Sequence, residues 1–300
     1  DKKLNNTVPF SSLTSSRKPI AAVNGNFFNA YDAIKDPIGH LMIDGEFLYA
    51  SSGITSIGFM NDNSIMFGMP AVFTDIYTTD NDGDRKAETC TVYEINVQSQ
   101  KGNQAILYTP ARGSSMQITD KGMIIEVIDS TVTRHYNVNP GDTATIPSNG
   151  YILYFNEQVT QLDYFKPVSI GRKVAIRYRL FKDDEEGFDL ANSRFILSGA
   201  PRLVKNGAID TTPLPSGFAG DNRFSVNSAP RTAAGKLSDG KLILVSASST
   251  IAELKEIMLQ LGCTDAVNID GGASAAMYYN GSILRSPGRE LTSIFMIVEK

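Results

Sequence analysis

The sequence predicts an α+β fold that is mostly antiparallel β-sheet with few helices. Short apolar runs rich in β-branched and aromatic residues recur between turn signals along most of the chain. The clearest helical spacing of apolar residues runs from Ile251 to Leu261. It leads directly into another apolar run, Ala266 to Ile269, so a helix is expected to pack beside a strand.

Taken in order, Ala22-Val23 runs into Asn24-Gly25-Asn26 and then Phe27-Phe28. This reads as the end of a buried strand entering a polar loop, or equally as an Asn-Gly hairpin. Asp44-Gly45, Asn61-Asp62-Asn63, Asp120-Lys121-Gly122, Asn206-Gly207, Ser238-Asp239-Gly240 and Asn280-Gly281 each separate apolar runs as hairpin turns do. Residues 101 to 181 are rich in Thr, Val, Ile and Tyr, with turns at Asn139-Pro140-Gly141-Asp142 and Pro147-Ser148-Asn149-Gly150. They are expected to form a β-rich subdomain. Lys182 to Gly187 is a short charged loop, expected to be solvated. In the helix, Thr250 and Glu253 form a capping box, Ile251, Leu254, Ile257, Met258 and Leu261 make the core stripe, and Gly262 is the stop signal. The last strand is expected over Ile294 to Val298, and no repeat of fixed period is present.

Composition narrows the function. A chain of 300 residues with 42% hydrophobic content can bury a full core, as one large domain or two packed ones. Its 28 basic and 32 acidic residues give a net charge of -4 without a basic run, so no nucleic acid partner is expected. No apolar stretch approaches the roughly 18 residues of a membrane span, and Asp1-Lys2-Lys3-Leu4 lacks the apolar core of a signal peptide. Cys90 and Cys263 lie too far apart in sequence for a disulfide framework or zinc-ligand spacing and are expected as buried thiols. With His40 and His135 as the only histidines, an imidazole-rich zinc site is excluded, and neither metal nor cofactor is expected.

Three segments carry candidate chemistry. Ala266-Val267-Asn268-Ile269-Asp270-Gly271-Gly272-Ala273-Ser274-Ala275 ends an apolar run on a carboxylate and then strips the backbone of side chains, as a strand delivering an acid to a cleft would. The same spacing fits a tight turn in which Asp270 bonds its own loop. Ala229-Pro230-Arg231-Thr232-Ala233-Ala234-Gly235 sets a guanidinium among small residues, a setting for bidentate capture of phosphate or carboxylate and also for a structural ion pair. Asp80-Asn81-Asp82-Gly83-Asp84 imitates the start of a calcium loop. Arg85 stands where that loop needs glycine and Thr91 where it needs glutamate, so an exposed turn is expected.

In chain order, Ala22 to Phe28, Leu197-Ser198-Gly199-Ala200-Pro201-Arg202-Leu203-Val204-Lys205-Asn206-Gly207, Arg231 to Gly235 and Asn268 to Ser274 resemble the motifs of the phosphodiester glycosidase family. The resemblance extends over roughly residues 20 to 298 and departs at Ala273, where most members carry a third glycine. It implies a phosphodiester glycosidase-like domain that cleaves the bond between an anomeric carbon and a phosphodiester oxygen. A phosphorylated glycan or sugar-1-phosphodiester would be the substrate, with an α-N-acetylglucosamine-1-phosphodiester as first candidate, and the protein would be secreted or held in the cell envelope.

The resemblance also suggests roles. Asp270 would act as nucleophile, base or oxocarbenium stabiliser and Arg231 as phosphate clamp, with Thr232, Ser274 and the amides of Gly271 and Gly272 as oxygen ligands. Asn24 would bind sugar hydroxyls. Arg202 and Arg289 are further anion ligands, each also able to sit in a surface ion pair. Asp221 is a possible second acid that nothing in the sequence pairs with Asp270. Two other readings fit the same residues: a non-catalytic envelope glycan-binding module, and a metal-dependent phosphodiesterase.

Overall fold

Short apolar runs and tight turns favour antiparallel pairing, and the computed structural model is mostly β-sheet with few helices. It describes residues 2–51, 53–79, 88–163, 165–182, 189, 192–215 and 217–299. The acidic loop 80–84 lies outside the described residues, as does most of the charged loop 182–187.

The chain divides into two compact units. One holds Asp1–Leu4, Glu46–Ser52 and Pro70–Asp183. Its main strands run in the order Thr131–Val138, Gly122–Ile128, Gly150–Asn156, Ala105–Tyr108, Glu94–Ile95 and Glu46–Ala50. Ile106, Tyr108, Ile124, Ile152 and Tyr154, from alternate positions of these strands, are completely buried in one cluster. A second sheet joins Val174–Lys182, Ala71–Thr78 and Thr89–Val92.

The other unit holds Asn5–Gly45, Gly53–Met69 and Asp184–Lys300. A four-stranded sheet runs Ser282–Arg285, Met277–Tyr279, Ala21–Asn24, Ile294–Ile297. A five-stranded one runs Ala208–Ile209, Arg202–Lys205, Cys263–Ile269, Ala229–Leu237, Leu242–Ser249. The central strand Cys263–Ile269 is buried on both faces, which is why it reads as a continuous apolar run. Val267 and Ile269 pack with Val23, Ile57 and Leu197, whereas Cys263 and Ala266 pack with Leu254 and Met258 of the helix Ile251–Gln260. The expected capping box is present: the Glu253 amide donates to Thr250 Oγ1 (3.2 Å) and the Thr250 amide to Glu253 Oε2 (2.7 Å).

Of the expected hairpins, those at 61–63, 206–207, 238–240 and 280–281 join antiparallel neighbours. Asp120-Lys121-Gly122 does not, because Ser115–Gln117 pairs with Thr143–Thr145 while Gly122–Ile128 pairs with Thr131–Val138 and Gly150–Asn156. Gly122 begins a strand: a Cβ there would come 2.3 Å from the carbonyl oxygen of Phe155. Cys90 and Cys263 are both buried and unbridged. No helix among the described residues is long and apolar enough to cross a membrane.

Candidate active site

The site is set by where one ladder stops. Ala229–Leu237 pairs with Cys263–Ile269 so that Ala233 faces Asn268 and Thr232 faces Ile269. The ladder ends there, and the next residue on the two strands is Arg231 and Asp270 respectively. The approach is close enough to require glycine: a Cβ on Gly271 would lie 2.9 Å from the carbonyl oxygen of Pro230 and 3.9 Å from Arg231 Cδ. Gly272 then takes φ +58°, which a side chain would strain, and opens a short 3₁₀ turn, Gly272–Ser274. Ala273 is exposed on that turn, so the missing third glycine leaves the loop uncrowded.

Asp270 is half-buried and meets both descriptions its sequence allowed. It ends the strand, and its Oδ1 accepts the Gly271 amide at 2.8 Å. That amide, expected as an oxygen ligand for substrate, is engaged by Asp270. The Asp270 amide donates to Gly25 O (3.3 Å), and its own carbonyl accepts Asn24 Nδ2 (2.6 Å).

Asn24 and Thr232 are placed differently from the expectation that they contact substrate. Both are buried, at 1% and 0% exposure, and Thr232 Oγ1 donates to Asn24 Oδ1 (2.8 Å), which also accepts the Ala276 amide (3.0 Å). Asn24 thus joins the ends of three segments and fixes the Asp270 backbone. A buried amide engaged in this way is not available to a sugar hydroxyl. Ser274 is buried too, its amide donating to Gly271 O at 3.0 Å. Gly25 completes the frame, its amide donating to Ser293 O (2.9 Å).

The three arginines are not alike. Arg231, 3% exposed, donates through Nε to Ser249 O (3.2 Å) and through Nη2 to Asn227 O (2.8 Å). Burial lowers its pKa from the usual value, and the charge of Asp221 works against that shift. Asp221, which no sequence feature pairs with the site, is thereby brought to Arg231. The segment carrying it is anchored by Phe218 and Phe224, whose rings lie 5.3 and 5.6 Å from the ring of Phe27 just beyond Gly25. Aromatic residues in polar loop sequence were the one available signal. Arg202 is placed elsewhere, buried against Asp265 with Nη2 to Oδ1 at 2.6 Å. Arg289 lies over the ring of Tyr31.

The sequence model of the phosphodiester glycosidase family matches residues 121–298, more than half of the chain. The chain belongs to the phosphodiester glycosidase family. The match contains the 197–207, 231–235 and 268–274 motifs, whereas Ala22 to Phe28 lies outside it. Among curated proteins there is no match. Solved structures share the fold. A hypothetical protein from Synechocystis superposes with TM-score 0.76 at 22% identity over 98% of this chain and 55% of that one, so the phosphodiester glycosidase chain spans about half the length of that relative. A Burkholderia pseudomallei protein described as exported gives 0.71 at 20% identity over 99% of this chain and 69% of that one. The zebrafish N-acetylglucosamine-1-phosphodiester alpha-N-acetylglucosaminidase catalytic domain, auto-inhibited by its pro-peptide, gives 0.45 at 14% identity over 99% and 68%.

Proposed function

We propose that this chain hydrolyses a sugar-1-phosphodiester to free sugar and an intact phosphate ester, as a secreted or envelope protein. The observation that carries this reading is the meeting of Arg231 with the Asp270-Gly271 turn at the open end of one ladder. An alkoxide leaves an anomeric carbon badly without a proton, whereas a phosphate ester anion leaves well unaided. One carboxylate and one anion clamp therefore meet the needs of this bond. Asp270 faces the positive charge that develops at the anomeric carbon, and Arg231 faces the negative charge on the departing phosphate. Asn24 and Thr232 act as positioning residues through the Asp270 backbone, and Asp221 sets the charge around Arg231.

The phosphodiester glycosidase domain is read as α+β and as spanning residues 20–298, with parts of both compact units. Support comes from Ala21–Asn24, which pairs with both Met277–Tyr279 and Ile294–Ile297 and so ties the ends of that range into one sheet. A fold neighbour described as exported supports a place outside the cytoplasm.

Incubation with a panel of sugar-1-phosphodiesters, α-N-acetylglucosamine-1-phosphodiester first, followed by NMR of the anomeric protons, tests the activity. Reducing sugar with an intact phosphate monoester is the expected result. Sugar phosphate released in a chelator-sensitive reaction would make the protein a metal-dependent phosphodiesterase. Binding of every panel member without release would make it a glycan-binding module.

A further inference from the structure

Unlike Arg202, which pairs with Asp265, Arg289 has no carboxylate at ion-pair distance among the described residues. Its neighbour in sequence, Glu290, instead accepts the Thr7 hydroxyl at 2.6 Å. The guanidinium is held in another way: Nη2 donates to the Tyr31 hydroxyl at 3.1 Å, and Cζ lies 5.2 Å from the centre of the Tyr31 ring. Tyr31 is 84% exposed, so its ring is not there to fill the core. A cation fixed by an exposed aromatic, with no carboxylate partner among the described residues, is a preorganised fork for an anion.

Both members stand on loops that converge on the turn after Asp270. The Gly288 amide donates to Ala273 O (2.8 Å), and Ser293 O accepts the Gly25 amide (2.9 Å), so the segment with Arg289 is fastened at both ends to the frame of the site. The Tyr31 loop begins just beyond Asn26 and is closed by the Asn29 amide on Asp36 O (2.9 Å). Lys35 Nζ braces it from within on the carbonyls of Ala30 (2.9 Å) and Asp32 (3.1 Å). Neither side chain therefore depends on a mobile tail for its position.

We infer that Tyr31 and Arg289 form the outer wall of the subsite that takes the phosphoryl group on the aglycone side of the substrate, with buried Arg231 as its inner clamp beside Asp270. This rests on the glycosidase reading for its place in the reaction, but binding of a phosphate monoester tests it alone. Ethyl phosphate is the probe. Titrated into protein labelled on arginine side chains, it should shift the Arg289 Nε signal and the Tyr31 ring protons. Arg289→Gln should weaken binding about tenfold, the equivalent of about 1.4 kcal/mol. Arg289→Lys should fall between, because an ammonium keeps the charge and loses the fork. Tyr31→Phe, which keeps the ring and removes only the hydroxyl anchor, should weaken binding less than Tyr31→Ala. With a sugar-1-phosphodiester, Arg289→Gln should raise KM and leave kcat nearly unchanged, while an aryl glycoside without phosphate should show neither change. Binding that survives Arg289→Gln unchanged in a protein of unaltered Tm would overturn the subsite. Binding lost in Arg289→Gln by a protein that cleaves no sugar-1-phosphodiester would uphold the subsite and refute the glycosidase reading.

Discussion

Gly122–Ile128 and Cys263–Ile269 are both seven-residue strands lying between two antiparallel neighbours, yet only the second ends at the candidate site. Gly122–Ile128 is paired along its whole length on both sides, and its chain turns back at once through Asp129-Ser130. Cys263–Ile269 loses its partners one after the other: the ladder with Arg202–Lys205 stops at Val267 opposite Arg202, and the ladder with Ala229–Leu237 stops at Ile269 opposite Thr232. The next residue, Asp270, leaves the sheet while still aimed by it. A strand that turns straight back spends its backbone groups on neighbours, whereas one whose chain leaves the ladder at its last paired residue presents the next side chain from a rigid base. Buried side chains then replace the missing ladder, which is why Asn24 and Thr232 lie under the turn without exposure to solvent.

Exchanging a carboxylate for an amide in each strand breaks this comparison most directly. Asp270→Asn should keep the fold and lose about two to three orders of magnitude in kcat, as expected on removing a charge that acts in the transition state. Glu126→Gln, in the fully paired strand, should leave turnover unchanged. There the carboxylate only holds Arg134 (2.7 Å) and Thr133 (2.8 Å). Near-native kcat in Asp270→Asn would end the assignment.

Arg231→Lys comes next. Losing hydrogen bonds from a charged fork is worth about 1.5–3 kcal/mol, or about tenfold to a hundredfold in kcat/KM for a sugar-1-phosphodiester. The loss should shrink for an aryl glycoside. Equal losses on the two substrates would make Arg231 structural. For Asn24→Ala the effect is first on stability, about 1–3 kcal/mol by urea unfolding, because Thr232 and the Ala276 amide lose their buried acceptor. A drop in kcat with KM retained should accompany it, since the Asp270 backbone is released. Unchanged kcat in the folded variant would separate Asn24 from the site.

Much of this contrast was legible in the sequence. An acid closing an apolar run before two glycines marks a strand that delivers a side chain, and Arg231 among small residues marks a guanidinium brought close to backbone. The role of Asn24 was not legible, because only the register of Ala21–Asn24 between two distant strands brings its amide beneath Asp270. Asp221 is likewise placed by tertiary packing of Phe27, Phe218 and Phe224. The hairpin at Asp129-Ser130 lacks the usual glycine, since two non-glycine residues adopt φ +48° and +61° there. The helix Phe10–Arg17, FSSLTSSR, has no apolar stripe to announce it.

The smallest effect concerns a third acid, Asp75, in the strand Ala71–Thr78, which is paired on both sides by Val174–Lys182 and Thr89–Val92. Burial by itself would raise its pKa, but hydrogen bonds from Arg179, Thr91 and Arg177 outweigh that and pull it down to about 2. An acid whose folded pKa lies below its unfolded value of about 3.9 contributes stability above that value and loses it as pH falls through the folded pKa. Melting temperature should therefore decline from pH 4 to pH 2 more steeply in the native protein than in Asp75→Asn. The two curves should converge at the acid end. With Arg177 and Arg179 half-exposed and screened by solvent, the difference at neutral pH should be about 1 kcal/mol. Turnover should not change, because this acid lies in a strand with partners on both sides and serves only to hold it. Parallel melting curves across that window would show that Asp75 contributes nothing as a charge. A fall in kcat would show that pairing on both sides does not divide structural acids from chemical ones in this protein.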